Sequence, residues 1–418
     1  MYWAIMQMPQ TVKHKYIALI TVALVVFLIA LLIQHERSKP ALKIGILHSL
    51  TGTMVISEKP LVDALQFAIE EVNAAGGING QMVEAVVRDC RSDAEYCAKQ
   101  AEQLITGEKV KALFGCWTST CRKAVKAVVE KHQNLLFYPV QYEGMEQSPN
   151  IIYTGATPNQ QIIPGTGWAI KNLGKRIYLL GSDYLFPRMA NIIIKDMARV
   201  GAGEVVGERY LPLGTNKLDS TVAEIVRQKP DVVLNTLNGG SNFAFFDALG
   251  KAGINAKKIP VLSFSLAEAE LASMATIKTA GHYAAWNYFQ SIPTQHNKDF
   301  VTRYRQRFGE QAVFDDPMEA SYIGMMLWAQ AAREAGSALP QKVLHSIGRQ
   351  TLLAPEGLVA VDPNTHHLWK TSRIGKIRQD GQFDIVHDAG QAVEPAPFPY
   401  YRFKEDWLHM LSRAEGKE

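Results

Sequence analysis

Several things are scarce in this chain of 418 residues, and each scarcity excludes a class. Four cysteines are too few for a small domain held together by disulfides. Charged residues make up 20% and the formal net charge is only +4, with no basic clusters. A nucleic-acid partner therefore has no electrostatic footprint here, and none is expected. Only one segment is long and apolar enough to span a bilayer, so a polytopic membrane protein is excluded. Catalytic signatures are missing as well: no G-x-S-x-G elbow, no phosphate loop ending in G-K-[ST], no H-E-x-x-H. Gly201, Gly203 and Gly207 have the wrong spacing for a dinucleotide fingerprint and precede a strand. No cofactor, no metal and no enzymatic activity are expected.

Hydrophobic residues account for 47% of the chain, too many for a disordered one, and the length suits two or three domains. The apolar segment runs from Tyr16 to Ile33 without a charge. It exceeds the apolar stretch of about 7–15 residues usual in a cleavable signal, and no small-x-small cleavage pattern follows. Residues 16–33 are thus expected to form an uncleaved signal anchor after a cytoplasmic N-terminus at 1–15, with signal cleavage as the alternative. Lys13 and Lys15 precede it, and Arg37 and Lys39 follow it, so the positive-inside rule has little contrast. The expected location of the rest is the periplasmic face of the inner membrane.

From Leu42 onward short apolar runs alternate with amphipathic stretches. Strands are predicted at 42–50, 82–90, 110–116 and 135–140, with helices at 60–74, around 96–104 and at 119–131. The rhythm restarts after a break near 155, with strands at 176–183, 203–213, 231–239, 259–266 and 281–289. Helices are predicted near 187–200, 219–228, 241–253, 297–308 and 317–335. Residues 356–388 turn β-like, with a hairpin at Gln379-Asp380-Gly381-Gln382. Strands alternating with helices imply parallel sheets and right-handed crossovers. The expected fold is therefore α/β, two doubly wound lobes side by side, which is a natural container for a cleft.

In open parallel sheets ligands bind beyond the carboxyl ends of the strands. The residues there are Trp117, Thr118 and Ser119; Tyr138 and Gln141; Tyr184 and Phe186; Asn238; and Ser265. Aromatics, hydroxyls and amides with little formal charge suit a small, neutral, hydrogen-bonding ligand. Plainer roles compete: Trp117 and Tyr138 as interior packing, Ser119 as a helix cap, Asn238 as a turn residue. Cys90, Cys97, Cys116 and Cys121 permit three pairings, among which spacing does not choose, and they lack the C-x2-C knuckles of a zinc site. Asp315, Asp316 and Glu319 read as a capped helix start, and His366-His367 as part of a polar turn.

Several blocks carry a resemblance: GCWTSTCRKAV (115–125), LLFYPVQYEG (135–144), SPNIIYTGATPNQQ (148–161), GSDYLFPR (181–188) and APEGLVAVDPNTHHLWK (354–370). In these the chain resembles the urea-binding proteins of ABC importers, within the branched-chain-amino-acid type of periplasmic binding proteins. It is also similar to the short-chain-amide sensors of amidase operons, but Val140-Gln141 follows the urea type. The resemblance implies two Rossmann-like lobes joined by three crossovers near 155, 285 and 355. It places 42–155 plus 286–355 in one lobe and 156–285 plus 356–418 in the other. It implies an amide site made of Trp117, Ser119, Tyr138 and Gln141 facing Tyr184, Phe186, Asn238 and Ser265.

Urea offers one strong acceptor oxygen, two amino groups and little apolar surface, so a pocket must meet nearly every hydrogen bond. Ser119, through its hydroxyl and its backbone N–H at a helix N-terminus, is expected to hold the carbonyl oxygen, while Gln141, Asn238 and Ser265 accept from the amino groups. Trp117, Tyr138 and Phe186 would cover the planar faces. The expected partners are urea or a short-chain amide, an ABC permease with its ATPase subunits, and the membrane through 16–33. The alternatives are a regulatory amide sensor acting through a protein partner, and an amide hydrolase, for which no nucleophile, base or metal is placed.

Overall fold

A computed structural model describes residues 10–37, 40–274 and 277–416. Helix α1 (Gln10–Arg37) carries the apolar run. Its described side chains from Ile17 to Ile29 are exposed and join no core. Among the described residues no helix is long and apolar enough to cross a membrane. The stretch from Ile17 to Ile29 rises only about 20 Å at ~1.5 Å per residue. Residues 1–9 of the expected cytoplasmic segment, and the side chains of Tyr16 and 30–33, lie outside the described residues.

Strands and helices then alternate: β1 (Leu42–His48), α2 (Val55–Ala74), β2 (Val83–Asp89), α3 (Ala94–Thr106), β3 (Leu113–Gly115), α4 (Ser119–Lys131), β4 (Leu136–Tyr138) and β5 (Ile151–Tyr153). The five strands form one parallel sheet in the order β2-β1-β3-β4-β5. β1 reads LKIGILH because helices cover both faces, and a strand buried on both sides has no polar alternation to show. Asp93 caps α3 by accepting from the Tyr96 N–H, and Thr118 caps α4 by accepting from that of Cys121. α2 begins at Val55, ahead of the expected start at Pro60, which lies inside it.

The second half supplies α5 (Ile162–Asn172), β6 (Arg176–Ser182), α6 (Leu185–Val200), β7 (Glu204–Leu211), α7 (Asp219–Gln228), β8 (Val232–Thr236), α8 (Ser241–Lys251), β9 (Val261–Ser263), α9 (Glu268–Ser273) and β10 (Tyr283–Trp286). Then come α10 (Gln295–Phe308), α11 (Asp316–Glu334), α12 (Pro340–Ile347), β11 (Thr351–Ala354), β12 (Gly357–Val361), β13 (Leu368–Trp369), β14 (Arg373–Ile377), β15 (Phe383–Asp388) and α13 (Lys404–Ala414). The second sheet has the order β15-β14-β10-β9-β8-β6-β7, with β14 and β15 antiparallel at its edge. The expected hairpin closes there, the Arg378 N–H donating to the Gln382 carbonyl at 2.7 Å.

Helices α10 and α11 do not extend the second sheet. Phe67 of α2 packs edge-on against Phe300 and Tyr304 of α10, with centroids 5.8 and 5.4 Å away. Trp328 of α11 meets Phe114 of β3 at 6.2 Å. β11, β12 and β13 make a small antiparallel sheet whose Val359, Val361 and Leu368 join the first core. The chain re-enters the second sheet only at Arg373, so the third passage falls later than the position near 355.

Buried carboxylates gather where the chain passes between the sheets. Asp316 Oδ2 accepts from the Asn287 and Tyr288 N–H groups at 2.8 Å each, and Glu319 accepts from that of Glu356 at 2.8 Å. Asp315 caps α11, accepting from the Met318 N–H at 3.1 Å. Arg373 donates to the carbonyls of Asn287 and Glu356. His367 is structural: it stacks on Tyr153 at 4.1 Å and meets the Tyr142 hydroxyl at 2.6 Å, and burial lowers its pKa to about 3.

Candidate functional site

β3 has to end close against β1 for its following residues to reach the sheet edge. Gly115 makes that possible: its φ is +152°, and a Cβ there would lie 2.0 Å from the Leu47 carbonyl oxygen. Cys116 follows with φ 66° and is joined to Cys121, which closes a short loop around Trp117, Thr118 and Ser119. Cys90 pairs with Cys97, so among the described residues no cysteine is free. Gly155 plays a similar part on the first crossing, where a Cβ would lie 2.1 Å from the Val140 carbonyl carbon.

The eight expected residues stand at the carboxyl ends of five strands, and all except Tyr184 are buried. Two pairs meet across the lobes. The Trp117 indole N–H donates to Asn238 Oδ1 at 3.0 Å. Gln141 Nε2 donates to the Phe264 carbonyl at 2.8 Å and lies 3.4 Å from Ser265 Oγ. Asn238 is held by the Ser182 hydroxyl, which accepts from its backbone N–H, and by the Thr236 carbonyl. Tyr138 donates to the Trp117 carbonyl at 2.6 Å, tying the ends of β3 and β4 together. Tyr184 and Phe186 lie side by side at 6.4 Å. Desolvation of its hydroxyl, although the residue as a whole is half-buried, and then Tyr138 and Glu143 push the Tyr184 hydroxyl above its ordinary range.

A charged cluster corrects the expectation of little formal charge. Ser119 does not stand alone at the start of α4: its hydroxyl donates to Glu143 Oε2 at 2.5 Å. Arg122, one turn further along α4, donates to Glu143 Oε1 at 2.7 Å and to Glu146 Oε1 at 2.9 Å. Arg122 and Glu143 are 0% exposed, so neither charge has water to fall back on. Arg122 also lies over the rings of Tyr138 and Tyr142, at 5.0 and 4.5 Å. Burial would push the Glu146 carboxyl up, but Arg122, Lys123 and Lys126 outweigh it and hold it at about 2. Sequence reasoning missed Arg122, Glu143 and Glu146. The signal was present: Arg122 sits three positions after Ser119, on one helical face, and Glu143 stands in the YEG block.

A cavity of about 160 Å³ opens beside the site, lined by Ser49, Glu58, Asp93, Thr118 and Thr120, with Leu213 from the opposite lobe. Thr118, Thr120 and Cys121 link it to the disulfide-closed loop.

Comparison with known proteins converges on one family. The family described as "Periplasmic binding protein domain" matches residues 42–404. Leu/Ile/Val-binding protein homolog 8 of Brucella abortus is 22% identical over 390 residues, covering 85% of this chain and 93% of that one. A solute-binding protein of an ABC transporter from Rhodopseudomonas palustris, solved with 3,4-dihydroxybenzoic acid, superposes with a TM-score of 0.75 at 22% identity over 85% of this chain and 98% of its own. A leucine-binding protein from Thermotoga maritima gives 0.72 at 19% identity over 83% and 98%. A limonene hydroxylase of Geobacillus stearothermophilus shares 33% identity over 124 residues, 30% of this chain, which spans only 23% of that protein's length.

Proposed function

We propose that this chain, which belongs to the periplasmic binding protein family of the Leu/Ile/Val-binding type, is the receptor that captures urea or a short-chain amide and delivers it to an ABC permease. Members of this family are solute-binding receptors of ABC transporters. The urea or amide ligand is our own reading, and so is the division into lobes at 42–155 plus 286–355 and 156–285 plus 356–418, with the third passage moved to just before Arg373. The apolar run at 16–33 is proposed as the anchor that keeps the receptor beside its permease, where a tether raises local concentration.

One observation carries the ligand reading. Primary-amide and indole groups of one lobe meet amide and hydroxyl groups of the other at Trp117–Asn238 and Gln141–Ser265. A planar ligand with both N–H donors and a carbonyl can replace those contacts partner for partner when it enters. Relatives solved with aromatic acids hold carboxylates, whereas none of the eight residues proposed here is a cation that would pair with one. The site residues proposed to bind are Trp117, Ser119, Tyr138, Gln141, Tyr184, Phe186, Asn238 and Ser265.

Titration calorimetry of the full chain with urea, acetamide, formamide, leucine and 4-hydroxybenzoate tests this. Saturable urea binding, weakened at least about tenfold by Asn238→Ala, is the expected result. Acetamide binding more tightly than urea would turn the reading toward an amide sensor. Binding of leucine or 4-hydroxybenzoate alone would overturn it.

A further inference from the structure

We infer that Glu143 is a specificity-determining positioning residue: by taking the Ser119 hydroxyl proton it leaves that oxygen facing the cleft as a hydrogen-bond acceptor, so the pocket selects its ligand by N–H groups. The inference deepens the amide reading and rests on it.

A hydroxyl has one proton to donate and two lone pairs to accept with. The Ser119 proton goes to Glu143 Oε2 at 2.5 Å. One lone pair faces Arg122 Nη1 at 3.3 Å. Glu143 cannot act as the donor in this contact, because its other oxygen takes Arg122 Nη2 at 2.7 Å, and a carboxylate in such a pair only accepts. What Ser119 has left is a lone pair. The carbonyl-holding role expected of its hydroxyl therefore passes to backbone N–H groups at the start of α4, which have no intrahelical partner.

A second group points the same way. Gln141 commits its Nε2 to the Phe264 carbonyl, while its Oε1 is buried without a hydrogen-bond partner. At neighbouring strand ends, then, Gln141 Oε1 is a buried acceptor without a donor, and Ser119 Oγ, which already accepts from Arg122, keeps one further lone pair. A buried acceptor left unmet is penalised more than a made bond is rewarded, so a ligand poor in N–H groups is selected against. Urea, acetamide and acetone share a planar carbonyl and carry successively fewer N–H groups, and they form the matching probe series.

The test is calorimetric titration of the full chain, in mild detergent, with these three compounds. The wild type is expected to bind them in the order urea, acetamide, acetone. In Glu143→Gln the new amide can donate to Ser119 Oγ and free its proton, so urea should weaken about tenfold while acetone does not, compressing the series. Glu143→Asp, which keeps the acid, should preserve the order. Uniform weakening with unchanged ratios in Glu143→Gln would overturn the inference and leave the amide reading standing. A folded wild type that binds none of the three overturns both. If Glu143→Gln does not fold, Ser119→Ala removes the acceptor while leaving the Glu143–Arg122 pair, and an uncompressed series there overturns the inference equally.

Discussion

Two buried charge clusters sit in this molecule, and they behave oppositely. Behind the binding loop, Arg122 is gripped by Glu143 and Glu146, with Lys123 3.5 Å from the latter, so cations and anions balance. At the passages between the sheets, Asp316, Glu319 and Glu356 surround Lys370, Asp315 and Glu268 lie beside Asp316, and Arg373 is alongside. There anions outnumber cations. Burial, with Lys370 in part opposing, pushes the Asp316 carboxyl up, and burial together with Glu356 does the same to Glu319. Glu146, equally out of water, goes down. Burial alone does not set the direction of titration. The count of opposite charges does, and the passage cluster relies on backbone N–H donors that a protonated carboxyl can still partly satisfy.

The sharpest way to break this contrast is to remove each cation. Arg122→Met leaves two buried carboxylates uncompensated and should cost about 3–5 kcal/mol, if the chain folds at all. Lys370→Met should cost less, and less at pH 5 than at pH 8, since Asp316 and Glu319 beside it are pushed toward the neutral form. Guanidinium chloride unfolding at both pH values measures this, and equal costs for the two would dissolve the distinction. Next comes Glu270, beside Asp315, which burial raises from 4.5 to about 7. A carboxyl raised on folding stabilises the fold least when ionised, so stability should fall as pH climbs from about 4.5 to about 7. The loss is on the order of 1–3 kcal/mol. Glu270→Gln should flatten that slope; a slope that persists would assign it elsewhere.

The sequence made the strand-end residues more legible than either charge cluster, for a physical reason. Strand ends are local features, so Trp117, Tyr138 and Asn238 could be placed by counting from apolar runs. Glu143 finds Arg122 only once β4 lies beside β3, and Lys370 meets Glu319 only after the chain has crossed between sheets. Elements were lost in the same way. α5 reads IIPGTGWAIKN, with Pro164 and Gly165 as apparent breakers. Gly165 is there because a Cβ would come within 2.8 Å of the Phe264 ring, a packing demand invisible in one dimension. The short β5 at Ile151–Tyr153 and the helices α12 and α13 lacked a period long enough to register.

A smaller effect concerns how the binding loop is held apart from its charges. The Cys116–Cys121 bridge closes a loop of a few residues around Trp117 and Ser119. Replacing both cysteines by serine should cost about 2 kcal/mol from loop closure, with a proportionally larger loss of amide affinity than of stability. The same change at Cys90 and Cys97, outside that loop, should lower stability without a matching change in affinity. Calorimetry and thermal unfolding of the two double variants separate these. Equal losses of affinity would mean that the loop is positioned by Glu143 and Arg122, and not by its bridge.

The smallest effect expected sharpens the opening contrast most directly. Arg307 grips Glu70 with two hydrogen bonds of 2.8 Å each, a fork as good as the one Arg122 makes on its glutamates. The side chains are 49% and 47% exposed, so water solvates both charges before and after folding. Geometry is held nearly constant between the two forks while burial changes, and surface pairs of this kind contribute little. Arg307→Met should lower the guanidinium chloride midpoint barely resolvably in dilute buffer. The difference should vanish near 1 M salt, where charges are screened within ~3 Å. A loss approaching that of Arg122→Met would show that the fork itself, and not its removal from water, makes the Arg122 cluster matter.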